Sequence, residues 1–116
     1  MGIFGKSKTS LLIDQIKSEV EQMNKNLWSM LCILKEGISF QNIESLIMTG
    51  NETNERYRKV QSLLNILSAR EQHDLRIPDI SGDPIHLMEW SHSYMHWMNQ
   101  IQNAVKEFSR NNGLPF

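Results

Sequence analysis

The sequence predicts an all-α protein, a four-helix bundle with two long terminal helices and two shorter middle helices. Three observations carry that prediction. Apolar residues recur every three or four positions near both ends of the chain, which is the spacing of one helical face. Helix breakers stand between those stretches: Gly37, Gly50, and a cluster of Pro78, Gly82 and Pro84. The length of 116 residues, with 40% apolar and 22% charged residues, suits one soluble domain able to bury a core without staples.

Residues 1–9 read as a flexible leader, 10–110 as a single helical domain, and 111–116 as a loose tail with Gly113 and Pro115. Thr9 or Ser10 is placed to cap the first helix. From there Leu12, Ile16, Val20, Met23, Leu27, Met30 and Leu34 form a heptad-like seam. The opposite face is polar at first, with Gln15, Glu19 and Asn26, and then loses that polarity. From Leu27 to Leu34 the helix is apolar nearly all round, so other helices or a second subunit should enclose it. Cys32 lies in this stretch and is expected to be an inert buried thiol. Gly37 is the stop signal.

Ser39 starts a short second helix carrying Phe40, Ile43, Leu46 and Ile47, which Gly50 is expected to end. Asn51 or Thr53 starts a third, running through Tyr57, Val60, Leu63, Leu64 and Leu67 to about His73. Asp74 to Pro84 is then a loop, with a short strand conceivable but no evident partner for it. Asp83 and Pro84 read as the N-cap and first residue of the last helix, which runs to about Arg110. Its apolar stripe includes Leu87, Trp90, Tyr94, Trp97, Met98 and Ile101, and Trp90 and Trp97 are expected in the core.

Few functional signals stand out. Net charge is −1, and basic and aromatic residues do not interleave, so no nucleic-acid partner is expected. Arg56, Arg58 and Lys59 read as a plain solvated face. No phosphate-binding glycine loop, nucleophile constellation or informative carboxylate pair is present, so no enzyme activity and no cofactor are expected. Glu89, His92 and His96 have the spacing of a helical metal site, but they point away from the apolar stripe. They are weak metal candidates, and a solvated face is the expected state.

Gly2, Lys6 and Lys8 form a weak candidate membrane leader. A myristoylation signal wants Ser or Thr where Lys6 stands. No apolar run reaches the ~18 residues of a membrane span, and no signal peptide is read at the start, so the expected location is cytoplasmic. The scarcity of alanine, at Ala69 and Ala104 alone, suits an A/T- or A/U-rich coding sequence and raises the expectation of a viral accessory or structural protein.

Trp28 lies about 120° from the centre of the first seam and is the leading candidate for a partner contact, since tryptophan is common at interface hot spots. Met23, Leu27, Met30 and Ile33 are grouped with it as partner-binding candidates. The expected function is therefore a small non-enzymatic protein–protein interaction protein. It is expected to form a homodimer through the heptad seam or the all-round apolar part of the first helix. The alternatives are a matrix-like peripheral membrane protein using the leader, and a metal-binding helical protein using the histidine face.

Overall fold

The computed structural model describes residues 7–115, and Gly2 and Lys6 lie outside them. The chain is mostly helical: α1 spans Lys8–Glu36, α2 Ile43–Leu64, α3 Ala69–Asp74 and α4 Leu87–Asn111, with strands β1 Arg76–Pro78 and β2 Pro84–His86 before the last helix. Both long terminal helices are present. The middle pair is unequal, one of 22 residues and one of 6.

Helix α1 begins before the expected cap. The Ser7 side chain accepts a hydrogen bond from the Ser10 amide, so Ser7 is the N-cap. Thr9 serves a tertiary contact instead. Its hydroxyl donates to Glu71 Oε2 at 2.9 Å, tying the start of α1 to α3. Gly37 ends α1 with φ +105°, a backbone state that side-chain-bearing residues rarely adopt.

The expected break at Gly50 does not occur, and α2 runs straight through it. Glycine lowers helix propensity by ~1 kcal/mol, which contacts along the rest of the helix easily outweigh. Ile43 and Leu46 before it and Thr53, Val60 and Leu64 after it are all buried. The real break comes later, at 65–67. There Gln72 Nε2 donates to the carbonyls of Leu64 and Leu67, and Ser68 and Glu71 form a reciprocal capping box that starts α3.

The short strand finds a partner. β1 pairs antiparallel with β2, with Ile77 opposite Ile85 and Pro78 opposite Pro84. Pro84 is therefore a strand residue, not the first residue of a helix. Asp83 belongs to the turn, where its carbonyl accepts from the Asp79 amide at 2.8 Å and its amide donates to Asp79 Oδ1. Gly82, at φ +91°, makes this turn possible. His86 caps α4 instead, its Nδ1 accepting from the Met88 amide.

One core runs the length of the molecule. Ile16, Val20, Met23, Leu27 and Met30 of α1 are its spine, each 3% exposed or less. Leu46, Val60 and Leu64 of α2 meet them from one side, and Trp90, Tyr94, Met98 and Ile101 of α4 from another. Leu67, Leu75 and Ile77 close the end near the sheet. Burying each such side chain is worth about 1.5–3 kcal/mol in transfer free energy. α1 lies antiparallel to α2, as cross-links from Asn26 to Glu52 and from Glu19 to Arg56 show.

Candidate functional site

The residues singled out from sequence separate into three groups. Met23, Leu27 and Met30 are core, at 0%, 3% and 0% exposure, so none of them presents a surface to a partner. The same holds for the heptad seam as a dimer interface, because α2 and α4 already cover it. Ile33 is half-buried against the core. Trp28 is 54% exposed, as its angular position predicts. Its indole N–H is engaged, donating to the Ile80 carbonyl at 2.7 Å. Together with Asn24, whose amide donates to the carbonyls of Pro78 and Asp79, it straps the β1–β2 turn onto α1.

The back half of α1 is not enclosed by its own chain. Trp28 and Cys32 are exposed, and Leu31 and Leu34 are only half-buried. An all-round apolar pattern implies cover, but α2 and α4 lie on one side only of this stretch.

Glu89, His92 and His96 are exposed on the outer face of α4. Among the described residues, no group of three or more His, Cys, Asp or Glu side chains is gathered closely enough to hold a metal ion. His96 instead bonds Gln100 at 3.2 Å and sets its ring edge-on to Trp97. Lys8 is exposed at the start of α1. No helix among the described residues is long and apolar enough to cross a membrane.

The basic cluster is not a plain solvated face. Arg56 and Lys59 both grip Glu19 of α1, at 2.7 and 2.9 Å, and Arg56 also holds Glu52. Burial pushes the Glu19 carboxyl up, but the bonds from Lys59 and Arg56 outweigh it and hold the group below the usual carboxylate range. Arg58, two residues on from Arg56, lies about 200° round the helix from it, on the other side of α2.

That other side of α2 holds a feature that sequence patterns do not show. α2 and α4 meet closely where the Tyr57 and Tyr94 rings stack at 4.3 Å, 8° from parallel. Tyr57 bonds Ser91 at 2.8 Å, and the Tyr94 hydroxyl donates to Asn54 Oδ1. Burial raises the Tyr94 phenol far above its ordinary value, so it stays a neutral donor.

Beyond this contact the two helices part and leave an apolar groove. One cavity of about 220 Å³ has Leu46, Ile47, Gly50, Met98, Ile101 and Val105 as its floor. A second, of about 320 Å³, continues it past Tyr57 and Tyr94, and the two share Asn54, Met98 and Gln102. Uncharged amides form most of the rim: Asn51 and Asn54 on α2, Asn99 and Gln102 on α4. The spacings of four along α4, at Met95 and Asn99 and again at Gln102 and Lys106, keep these residues on one edge. That periodicity is visible in sequence, but only the placement of the two helices makes it a rim.

The groove offers shape, apolar surface and hydrogen-bonding amides. Neither cavity has an acidic residue among its lining residues, and Lys106 is the charged group there. No family model matches the chain, nor does any curated protein or solved structure.

Proposed function

We propose that this chain is a small non-enzymatic interaction protein, acting in the cytoplasm, that binds a partner protein through the groove between α2 and α4. The observation that supports this is the open apolar hollow between the two helices. Three long helices share one core, yet a hollow stays open between α2 and α4, with half-buried Ile47, Gly50 and Val105 at its mouth and core residues Leu46, Met98 and Ile101 beneath them. A helix laid into that gap would complete a four-helix bundle, with the partner supplying the fourth wall in place of the 6-residue α3.

Site-specific photo-crosslinking tests this reading. A photoreactive residue at Gln102, on the groove rim, is expected to give a discrete protein adduct in the source cells. The same residue at Ser18, on the exposed face of α1, is expected to give none. Equal adducts from both positions, or none from Gln102, would overturn the groove as the contact.

A second contact is favoured by the exposed flank of α1. We infer that Trp28 and Cys32, with half-buried Leu31 and Ile33, form a homodimer face. Sedimentation of the full chain at high concentration is expected to show a dimer that Trp28→Glu dissociates. A strict monomer removes this contact and leaves the groove untouched.

A further inference from the structure

The composition of the groove specifies its occupant more narrowly than an apolar floor alone, and the following rests on the groove being the partner site. No acidic residue lines either cavity. The charged group on the rim is Lys106, which makes no ion pair among the described residues. Past the far end stands Arg58, one turn beyond Asn54 on α2 and next to Tyr57, whose ring stacks on Tyr94. Glu19 is already held by Arg56 and Lys59 on the other side of α2, and Glu107 lines a separate hollow beside Phe108. The groove is thus an apolar trough with a cation at each end. Tyr94 and Lys106 are twelve residues apart on α4, so the two cations flank a length of ~18 Å at 1.5 Å per residue.

Gly50 is a second, independent sign. It sits in the middle of a regular helix, where glycine is the poorest residue short of proline. The fold does not require it: φ is not positive, and a Cβ there would meet Met30 Sδ at 3.8 Å and Met98 Cε at 4.0 Å, ordinary contact distances. Alanine would therefore fit and strengthen the helix. What Gly50 provides is depth in the groove floor at the point where α2 and α4 part.

We propose that the groove binds an amphipathic helix of a partner protein, about three turns long, with an apolar face over Ile47, Gly50 and Val105 and an acidic residue near each end to pair with Lys106 and Arg58. Charge complementarity sets the direction of the preference, and the missing side chain at Gly50 lets the helix approach closely.

The test uses the full chain and two synthetic helical peptides of about sixteen residues, identical in their leucine face, one with Glu at both ends and one with Lys. Binding is read from the Met95 and Met98 methyl resonances and from fluorescence anisotropy. The Glu-ended peptide is expected to shift both resonances and saturate, and the Lys-ended peptide to bind at least ~10-fold more weakly. Lys106→Glu is expected to reverse that order. Gly50→Ala is expected to raise the melting temperature and yet weaken the Glu-ended peptide ~10-fold or more. Equal binding of both peptides overturns the acidic preference while leaving the groove reading intact. Failure of either peptide to move Met95 and Met98 overturns the helical occupant, and crosslinking from Gln102 then decides the groove reading separately. Shifts that follow the concentration of the chain alone identify a second copy as the occupant and also overturn the proposal. Unchanged affinity in Gly50→Ala removes the role given to that residue.

Discussion

Helix α2 has two sides that are closed in different ways. Toward α1 it meets an unbroken apolar seam, edged by the pairs that Glu19 makes with Arg56 and Lys59 and by the bond from Asn26 to Glu52. Toward α4 it has one tight contact, the Tyr57–Tyr94 stack with its hydroxyl partners, and then a gap. On the first side, charged groups are paired and the apolar residues are covered. On the second, amides and Lys106 rim a hollow whose mouth, at Ile47, Gly50 and Val105, is only half-covered. A contact finished within the chain leaves little for a partner, and the unfinished one is where binding energy remains available.

Substitutions on the two sides should separate accordingly. The largest effect belongs to the closed side: Met23→Ala, at a site with no exposure, is expected to cost about 2–5 kcal/mol in chemical denaturation. A loss under about 1 kcal/mol would show that the α1 spine repacks freely. Tyr94→Phe removes the hydroxyl link to Asn54 across α2 and α4 while keeping the ring stack, and is expected to cost about 0.5–1.5 kcal/mol by thermal melting.

Glu19→Gln should cost less, within about 1 kcal/mol near neutral pH, because its partners are partly solvated. Its signature is pH dependence. The folded-state pKa of Glu19 lies below its ordinary value of 4.5, so its stabilisation is complete above that pH and is lost as the pH falls through the folded value. Between pH 6 and about pH 3 the native chain should therefore lose more stability than the Gln variant. Equal losses would mean the pairs contribute nothing.

The smallest effect has the opposite sign. Gly50→Ala is expected to stabilise the unbound chain by about 0.5–1 kcal/mol, measured by thermal melting. A destabilised variant would mean that α1, α2 and α4 already press on that position.

Much of the closed side is legible in sequence. The seam from Ile16 to Met30 follows directly from helical periodicity, and Trp28 is exposed as its angle on that helix predicts. Breakers are harder to read. Gly50 carries the local signal of a stop, but burial of Ile43, Leu46, Val60 and Leu64 decides the matter over a longer span. Ser68 and Glu71 form a capping box that a sequence scan can find, yet an apolar run passing through Leu67 hides it. Pro84 suits an edge strand as well as the first turn of a helix, and only Pro78 opposite it distinguishes the two. Cys32 shows the limit of pattern alone: an apolar neighbourhood along the chain does not translate into cover in space. The groove escapes sequence patterns for the same reason. It belongs to neither α2 nor α4 but to the angle between them.

The antiparallel pairing of α1 with α2 also sets an order of assembly. These helices are neighbours in sequence, joined by residues 37–42, so their contacts close a short loop. α4 must instead wait for α3 and the β1–β2 turn to bring it back along the chain, and contacts of wider sequence separation form more slowly. The helix hairpin of α1 and α2 is thus expected to acquire amide protection first on refolding, with α4 settling onto it last. The groove would then come into being only at the final step of folding, so a chain that has not finished folding has no site to offer.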